Sequence, residues 1–205
     1  GIPCLVLFVR KSSVDSIPVN SMELSGPRGR FYFGINDRTA SLEALDPASG
    51  ETVTFKQLDE RSNQIAHAFR DAGLKPGDTI ALFAENSARY FEICWAAQRS
   101  GLYFVCVSSR LTAPEVKYII EDSGSSLLIA SAGKGDVAKQ AKQLVAIDQF
   151  WSIDGDIEGF QRLETHQSAF PVTPIADEMA GTDMLYSSGT TGRPKGIRPP
   201  LERDM

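Results

Sequence analysis

Cysteine and histidine are scarce in this chain: Cys4, Cys94 and Cys106 are widely spaced, and only His67 and His166 could assist them. With no Cys-x-x-Cys pair, that set excludes a zinc-ribbon pattern and a disulfide framework; it fits reduced, buried thiols in a cytoplasmic protein. An excess of positive charge is lacking as well. The 21 basic residues are outnumbered by 26 acidic ones, for a formal net charge of −5, and no basic stripe marks a nucleic-acid surface. Long apolar runs are missing too. The strongest, residues 2–9, is much shorter than the ~20 residues of a spanning helix, and Arg10 and Lys11 follow it, whereas a signal peptide carries its basic residues in front. Neither a metal site, a transmembrane segment nor a nucleic-acid partner is expected. No internal repeat or low-complexity tract occurs.

What is present is an ordinary globular balance, 42% hydrophobic and 23% charged over 205 residues, enough for one substantial core or two small ones. From residue 53 onward helix and strand signals alternate. Thr54 and Gln57 have the spacing of a capping box, and Leu58, Ile65, Ala66, Phe69 and Ala72 share one helical face up to a left-handed stop at Gly73. A turn at 75–78 leads to a short apolar strand at 79–83. Asn86 or Ser87 caps a second helix, with Phe91, Cys94, Trp95 and Gln98 at helical spacing and Gly101 at its end. Phe91, Trp95 and Tyr103 read as core packing between helix and sheet, and Glu121, Asp122, Asp59 and Glu60 as solvated helix charges.

The alternation continues with a strand at 102–107 and a second capping box, Thr112 to Glu115. Val116, Ile119 and Ile120 form the inward face of that helix, which stops at Gly124. Strands at 127–130 and 144–147 flank a helix at about 136–143, and residues 151–182 read as an irregular linker crossing the surface. A strand at 184–186 then delivers a loop at its C-terminal end, where open α/β sheets bind ligands. Strands that are apolar throughout, separated by amphipathic helices, predict an α/β fold: a largely parallel sheet with helices on both faces.

The loop that follows carries the chemistry. Within a dozen residues it holds the hydroxyls of Ser187, Ser188, Thr190 and Thr191, the glycines Gly189, Gly192 and Gly196, and Lys195. Hydroxyls donate to phosphate oxygens, and glycines let backbone N–H groups approach with no Cβ in the way. The spacing is not that of a Walker loop, because Gly189 and Gly192 are separated by only two residues and Pro194 stands at the second glycine's place. A Gly-x-Gly-x-x-Gly fingerprint is likewise missing. The same composition also describes a solvent-exposed polar turn at a sheet edge.

The run from Tyr186 through Gly196, Tyr-Ser-Ser-Gly-Thr-Thr-Gly-Arg-Pro-Lys-Gly, resembles the AMP-binding signature of the adenylate-forming superfamily. Upstream, Thr-Val-Thr-Phe-Lys-Gln-Leu-Asp-Glu-Arg-Ser-Asn at 52–63, Gly-Leu-Lys-Pro-Gly-Asp at 73–78, and Arg-Leu-Thr-Ala-Pro-Glu at 110–115, followed by Tyr-Ile-Ile-Glu-Asp-Ser-Gly at 118–124, resemble the N-terminal part of the same fold. The stretch 89–103 is most similar to bacterial fatty-acid-type acyl-CoA synthetases. This resemblance implies activation of a carboxylic acid by ATP and Mg2+ to an acyl-adenylate, followed by transfer to CoA. It implies that Ser187, Ser188, Gly189, Thr190, Thr191, Gly192 and Lys195 cradle the leaving phosphates, while Pro194 and Gly196 shape the loop. No residue of this segment is expected to be the catalytic lysine, which in that family lies in the C-terminal domain.

The same resemblance divides the chain. Residues 1–50 read as an extension and lead-in, non-native before Met22 on one reading, and 51–205 as an incomplete AMP-binding N-terminal domain without its C-terminal partner. Family elements for adenine, ribose and magnesium are expected beyond residue 205, so the chain is expected to be a fragment that is inactive alone. An adenylation enzyme for an amino or aryl acid, and a non-catalytic remnant, are the alternatives.

Overall fold

The computed structural model describes residues 22–26, 29–33, 44–45, 52–187 and 193–201. It divides into two units, residues 1–58 and 59–205. The first contains an antiparallel ribbon of β1 (Met22–Gly26) and β2 (Gly29–Phe33), and an antiparallel pair of β3 (Ala44–Leu45) and β4 (Thr52–Val53). The apolar run at 2–9 lies outside the described residues. Helix α1 (Phe55–Asp71) begins in this unit. Its capping box is formed: the Thr54 N–H donates to Gln57 Oε1 at 2.9 Å and the Gln57 N–H to Thr54 Oγ1 at 3.2 Å, satisfying two donors that a helix start leaves open.

The second unit follows the chain as β5 (Thr79–Phe83), α2 (Ala88–Arg99), β6 (Tyr103–Val107), α3 (Ala113–Ser123), β7 (Ser125–Ser131), α4 (Gly135–Lys142), β8 (Gln149–Ile153), β9 (Gln161–Arg162), α5 (Leu163–Gln167) and β10 (Thr182–Asp183). Six of its strands form one parallel sheet in the order β10-β6-β5-β7-β8-β9. Period-two alternation splits the core. Ile80, Leu82, Leu127, Ile129, Trp151 and Ile153 meet Ile65 and Phe69 of α1, Ile93 of α2 and Leu163 of α5. Ala81, Phe83, Val105, Leu128 and Ala130 meet Val116 and Ile120 of α3 and Ala138 of α4 on the other face. The expected parallel sheet covered on both sides is present.

Helix starts and stops follow local rules. Thr112 and Glu115 cap α3, and Gly124 ends it in the left-handed region at φ 67°. Gly73 at φ 83° and Gly101 at φ 67° close the two preceding helices in the same way. None of the helices among the described residues is long and apolar enough to cross a membrane.

Four expectations are corrected. Residues 144–147 form no strand: the Leu144 N–H donates back to Ala141 O, extending the last turn of α4, and 145–148 return the chain to the sheet. The strand is instead β8, between β7 and β9, whose Phe150, Trp151 and Ile153 are buried, so the linker assigned to 151–182 contains the last three residues of β8 together with β9, α5 and the first residue of β10. In α2 the buried face is Ala88, Glu92, Ile93, Ala96 and Ala97, while Phe91, Cys94 and Trp95 are half-buried and Gln98 exposed. Small residues let this helix approach the sheet closely, and the aromatic rings are left at its flank. Cys94 and Cys106 are not joined in a disulfide, and both are half-buried where burial was expected.

Between α5 and β10 the chain crosses from one sheet edge to the other along α1. Gln64 Nε2 donates to Phe170 O at 2.9 Å, Asn63 Nδ2 to Val172 O at 2.8 Å, His67 Nε2 lies 3.0 Å from Thr173 O, and Arg70 pairs with Asp177 at 2.9 Å. These bonds satisfy backbone carbonyls of a segment that has no strand partner of its own. His67 therefore holds down this strap.

Candidate functional site

The phosphate-type loop is closed by a hairpin. Strand β11 (Leu185–Ser187) pairs with β12 (Lys195–Ile197) in a separate antiparallel sheet, with Ser187 opposite Lys195, Tyr186 opposite Gly196 and Leu185 opposite Ile197. The strand expected at 184–186 is thus not part of the parallel sheet. Pairing with that sheet stops at Met184, whose N–H donates to Phe104 O at 3.0 Å, and the chain then turns to pair with its own continuation. Of the expected loop residues, Ser188, Gly189, Thr190, Thr191 and Gly192 lie outside the described residues. Ser187, Pro194, Lys195 and Gly196 lie within them, at the two roots of the loop.

Alternation of the two strands gives the hairpin two faces. One carries Ser187 and Lys195 at the loop mouth, both exposed, with the exposed apolar pair Leu185 and Ile197 behind them. Among the described residues the Lys195 side chain forms no ion pair and no hydrogen bond. The other face carries Tyr186, whose ring lies over Gly196. A Cβ at 196 would stand 3.0 Å from Tyr186 Cζ, so glycine at this position lets the two strands and the ring close up.

Helix α3 holds both roots. The Tyr186 hydroxyl donates to Asp122 Oδ2 at 2.7 Å, and the Tyr118 hydroxyl donates to Pro194 O at 2.8 Å. The Arg193 guanidinium lies over the Tyr118 ring, 5.3 Å from its centroid. Partial burial, and then the Asp122 carboxylate that accepts its proton, push the Tyr186 hydroxyl above the ordinary tyrosine range. Beyond β12 the chain is tied again: the Tyr103 hydroxyl donates to Pro199 O at 2.7 Å, and the Arg198 guanidinium lies 4.1 Å from the Tyr103 ring centroid while donating to Gly77 O. Three tyrosines, from β6, α3 and β11, therefore anchor the hairpin and its continuation.

Sequence reasoning gave the hydroxyls of Tyr118 and Tyr103 no role, and it read Asp122 as a solvated charge. Tyr118 and Asp122 stand at i and i+4 on α3, an available signal that an exposed hydroxyl and carboxylate share one helical face. Two open clefts, of about 400 and 580 Å3, lie at the β8–β9 edge around His166, Asp71, Asp156 and Arg162. Neither is lined by a residue of the hairpin.

The fold is thus a parallel α/β sheet with helices on both faces, followed by a separate antiparallel hairpin rooted on α3. The family pattern of AMP-binding enzymes matches residues 35–198, and the chain belongs to that family. It is 38% identical over 166 residues to the fatty acid–[acyl-carrier-protein] ligase ScoC of Streptomyces coeruleorubidus, covering 77% of this chain and 30% of that protein. It is 31% identical over 156 residues to the long-chain-fatty-acid–CoA ligase FadD13 of Mycobacterium tuberculosis, covering 75% of this chain and 30% of the relative. Among solved structures, anthranilate CoA ligase AuaEII with anthranoyl-AMP is similar at TM-score 0.67 and 25% identity, over 73% of this chain and 30% of that one. The inhibitor-bound N-terminal domain of FACL13 from Mycobacterium tuberculosis is similar at TM-score 0.65 and 28% identity, over 75% of this chain and 38% of that domain. The chain spans about 30% of the length of the curated relatives it matches.

Proposed function

We propose that the protein containing this chain is an AMP-forming acid–thiol ligase that activates a fatty acid with ATP and passes the acyl group to CoA. In the first step a carboxylate oxygen bonds to the α-phosphorus, the bond from that phosphorus to the bridging oxygen breaks, and pyrophosphate leaves with the electron pair. In the second, the thiol sulfur bonds to the acyl carbonyl carbon, AMP leaves with its electron pair, and the thiol proton passes to solvent. Charge grows on the leaving phosphates in the first step, and preorganised donors hold it at little reorganisation cost.

The observation that carries this reading is the loop mouth: the Lys195 side chain has no partner among the described residues, and the residue stands across the ladder from the exposed Ser187. A cation left unpaired beside a hydroxyl suits a polyphosphate. Ser188, Gly189, Thr190, Thr191 and Gly192 complete the cradle on this reading, with Pro194 and Gly196 shaping it. Magnesium would accompany the nucleotide on this reading.

On the same reading residues 51–205 are part of the AMP-binding domain, in a cytoplasmic protein, and the adenylation lysine lies outside these 205 residues. The chain alone then binds polyphosphate without turning over. Titration of the chain with ATP and with pyrophosphate tests this: Lys195→Ala weakens both by about tenfold, the worth of one charge-assisted contact, and equal affinities would overturn the role of the loop. Pyrophosphate release by the whole protein over a panel of fatty, aryl and amino acids assigns the acid. The likeness to ScoC favours a second reading of the acceptor, a carrier-protein thiol in place of CoA, and supplying each thiol in turn decides between them.

A further inference from the structure

We propose that Asp122, Tyr118 and Tyr186 are positioning residues for the loop between β11 and β12, acting as a clamp on its two roots; their relevance to ligand rests on the polyphosphate reading above. The clamp is a hydrogen-bond arrangement with a defined direction. Tyr118 has one proton and two acceptors in reach, Pro194 O at 2.8 Å and Asp122 Oδ1 at 3.4 Å, and the shorter contact takes it. Asp122 keeps its other oxygen for Tyr186, at 2.7 Å. One helical turn of α3 thereby grips the chain on both sides of the loop, at Tyr186 before it and Pro194 after it.

Asp122 has no local reason to be acidic. It lies in the last turn of α3, beside Glu121 and with no basic residue in that turn, where a carboxylate opposes the helix dipole. Glu121 has an intrahelical partner in Lys117 at 3.6 Å, whereas the described partners of Asp122 are the two tyrosines. A residue present only for helix stability would improve on replacement by alanine. A residue present for the hairpin would not.

The direction of the bonds also predicts which replacement works. In Asp122→Asn the amide oxygen still accepts from Tyr186, and the amide nitrogen at the Oδ1 position donates to the Tyr118 oxygen, whose proton stays on Pro194 O. Asparagine therefore preserves the clamp and alanine abolishes it.

The test uses the 205-residue chain and its variants Asp122→Ala, Asp122→Asn, Tyr118→Phe and Tyr186→Phe. Hydrogen exchange is read in the hairpin and, as a control, in β5 and β7, and inorganic pyrophosphate is the binding probe. Expected are hairpin exchange and a pyrophosphate Kd raised roughly fivefold in Asp122→Ala and in each phenylalanine variant, the factor of one net hydrogen bond. Asp122→Asn stays at wild-type values, exchange in β5 and β7 is unchanged, and the melting temperature of Asp122→Ala is not raised. Unchanged hairpin exchange in Asp122→Ala and Tyr118→Phe overturns the clamp, as does an Asp122→Asn variant as loose as Asp122→Ala. Faster exchange with unaltered pyrophosphate affinity overturns the positioning role. If the wild-type chain binds no pyrophosphate while exchange follows the expected pattern, the clamp stands and the polyphosphate reading falls.

Discussion

The Tyr186 ring covers Gly196, its partner across the β11–β12 ladder, and a Cβ at 196 would stand 3.0 Å from the ring and 3.1 Å from the hydroxyl oxygen. The same Cβ would press on the methyl of Met184, a flexible end that can move aside. The ring is held at both ends, by the ladder and by Asp122, and gives less. Gly196→Ala is therefore expected to displace the Tyr186 hydroxyl from Asp122 at a cost of about 1–2 kcal/mol. Calorimetric titration with pyrophosphate checks it: weaker binding with an unchanged main-sheet exchange pattern is expected, and wild-type affinity would refute the link between residue 196 and the loop.

Gly181 sits where backbone meets backbone. A Cβ there would collide with Ala97 O at 2.6 Å and Leu102 N at 2.7 Å, and with Leu102 O, while the Gly181 N–H donates to Gln98 O. No side-chain rotation relieves these contacts, so Gly181→Ala must pull β10 from the sheet edge. The expected loss in urea unfolding is about 3 kcal/mol, far above that of an exposed alanine substitution.

Glu92 is fully buried, yet its carboxylate reaches Arg61 at 2.9 Å and Arg89 at 2.6 Å. Removing it takes a shared carboxylate partner from two partly buried guanidinium groups. Glu92→Ala is expected to cost about 3–5 kcal/mol, and Arg89→Ala less, because Arg61 remains. Equal losses for the two variants in denaturant melts would contradict this.

Glu115 is held below its ordinary pKa by Thr112, through the side-chain hydroxyl first and the backbone N–H second. A carboxyl whose folded pKa is depressed stabilises the fold above its unfolded pKa, and that contribution fades as pH falls through the lowered value. Acid titration of stability should therefore be flatter below pH 4.5, the group's ordinary value, in Glu115→Gln than in wild type. Thr112→Ala should lose about 1 kcal/mol at neutral pH, and it should flatten the same limb.

Capping and strand periodicity made much of the fold legible. Both capping boxes, the left-handed glycines at 73, 101 and 124, and the strands at 79–83, 102–107 and 127–130 depend on residues within about one helical turn of each other. The strand expected at 144–147 failed because a more apolar tetrapeptide outweighed Gln-Phe-Trp-Ser-Ile, and only the register of β8 against β7 separates the two. In α2 two stripes have helical spacing; the aromatic one looked like the core, and the small one is, because close approach to the sheet favours alanine.

The loop's chemistry was likewise written in order along the chain, in hydroxyls, glycines and one lysine whose residue types suffice to suggest phosphate. Its mounting was not. Tyr118 and Asp122 are 64 or more residues from the strands they grip, and the Tyr186 contact spans 64 positions while the Pro194 contact spans 76. Local propensity acts over a few residues and can assign a helix, a cap or a turn; hydrogen bonds between distant segments exist only once the sheet has brought their backbones together. The alternating α/β order and the phosphate-type loop therefore belong to the linear chain. The placement of that loop on a separate hairpin, clamped to α3, belongs to the packed one.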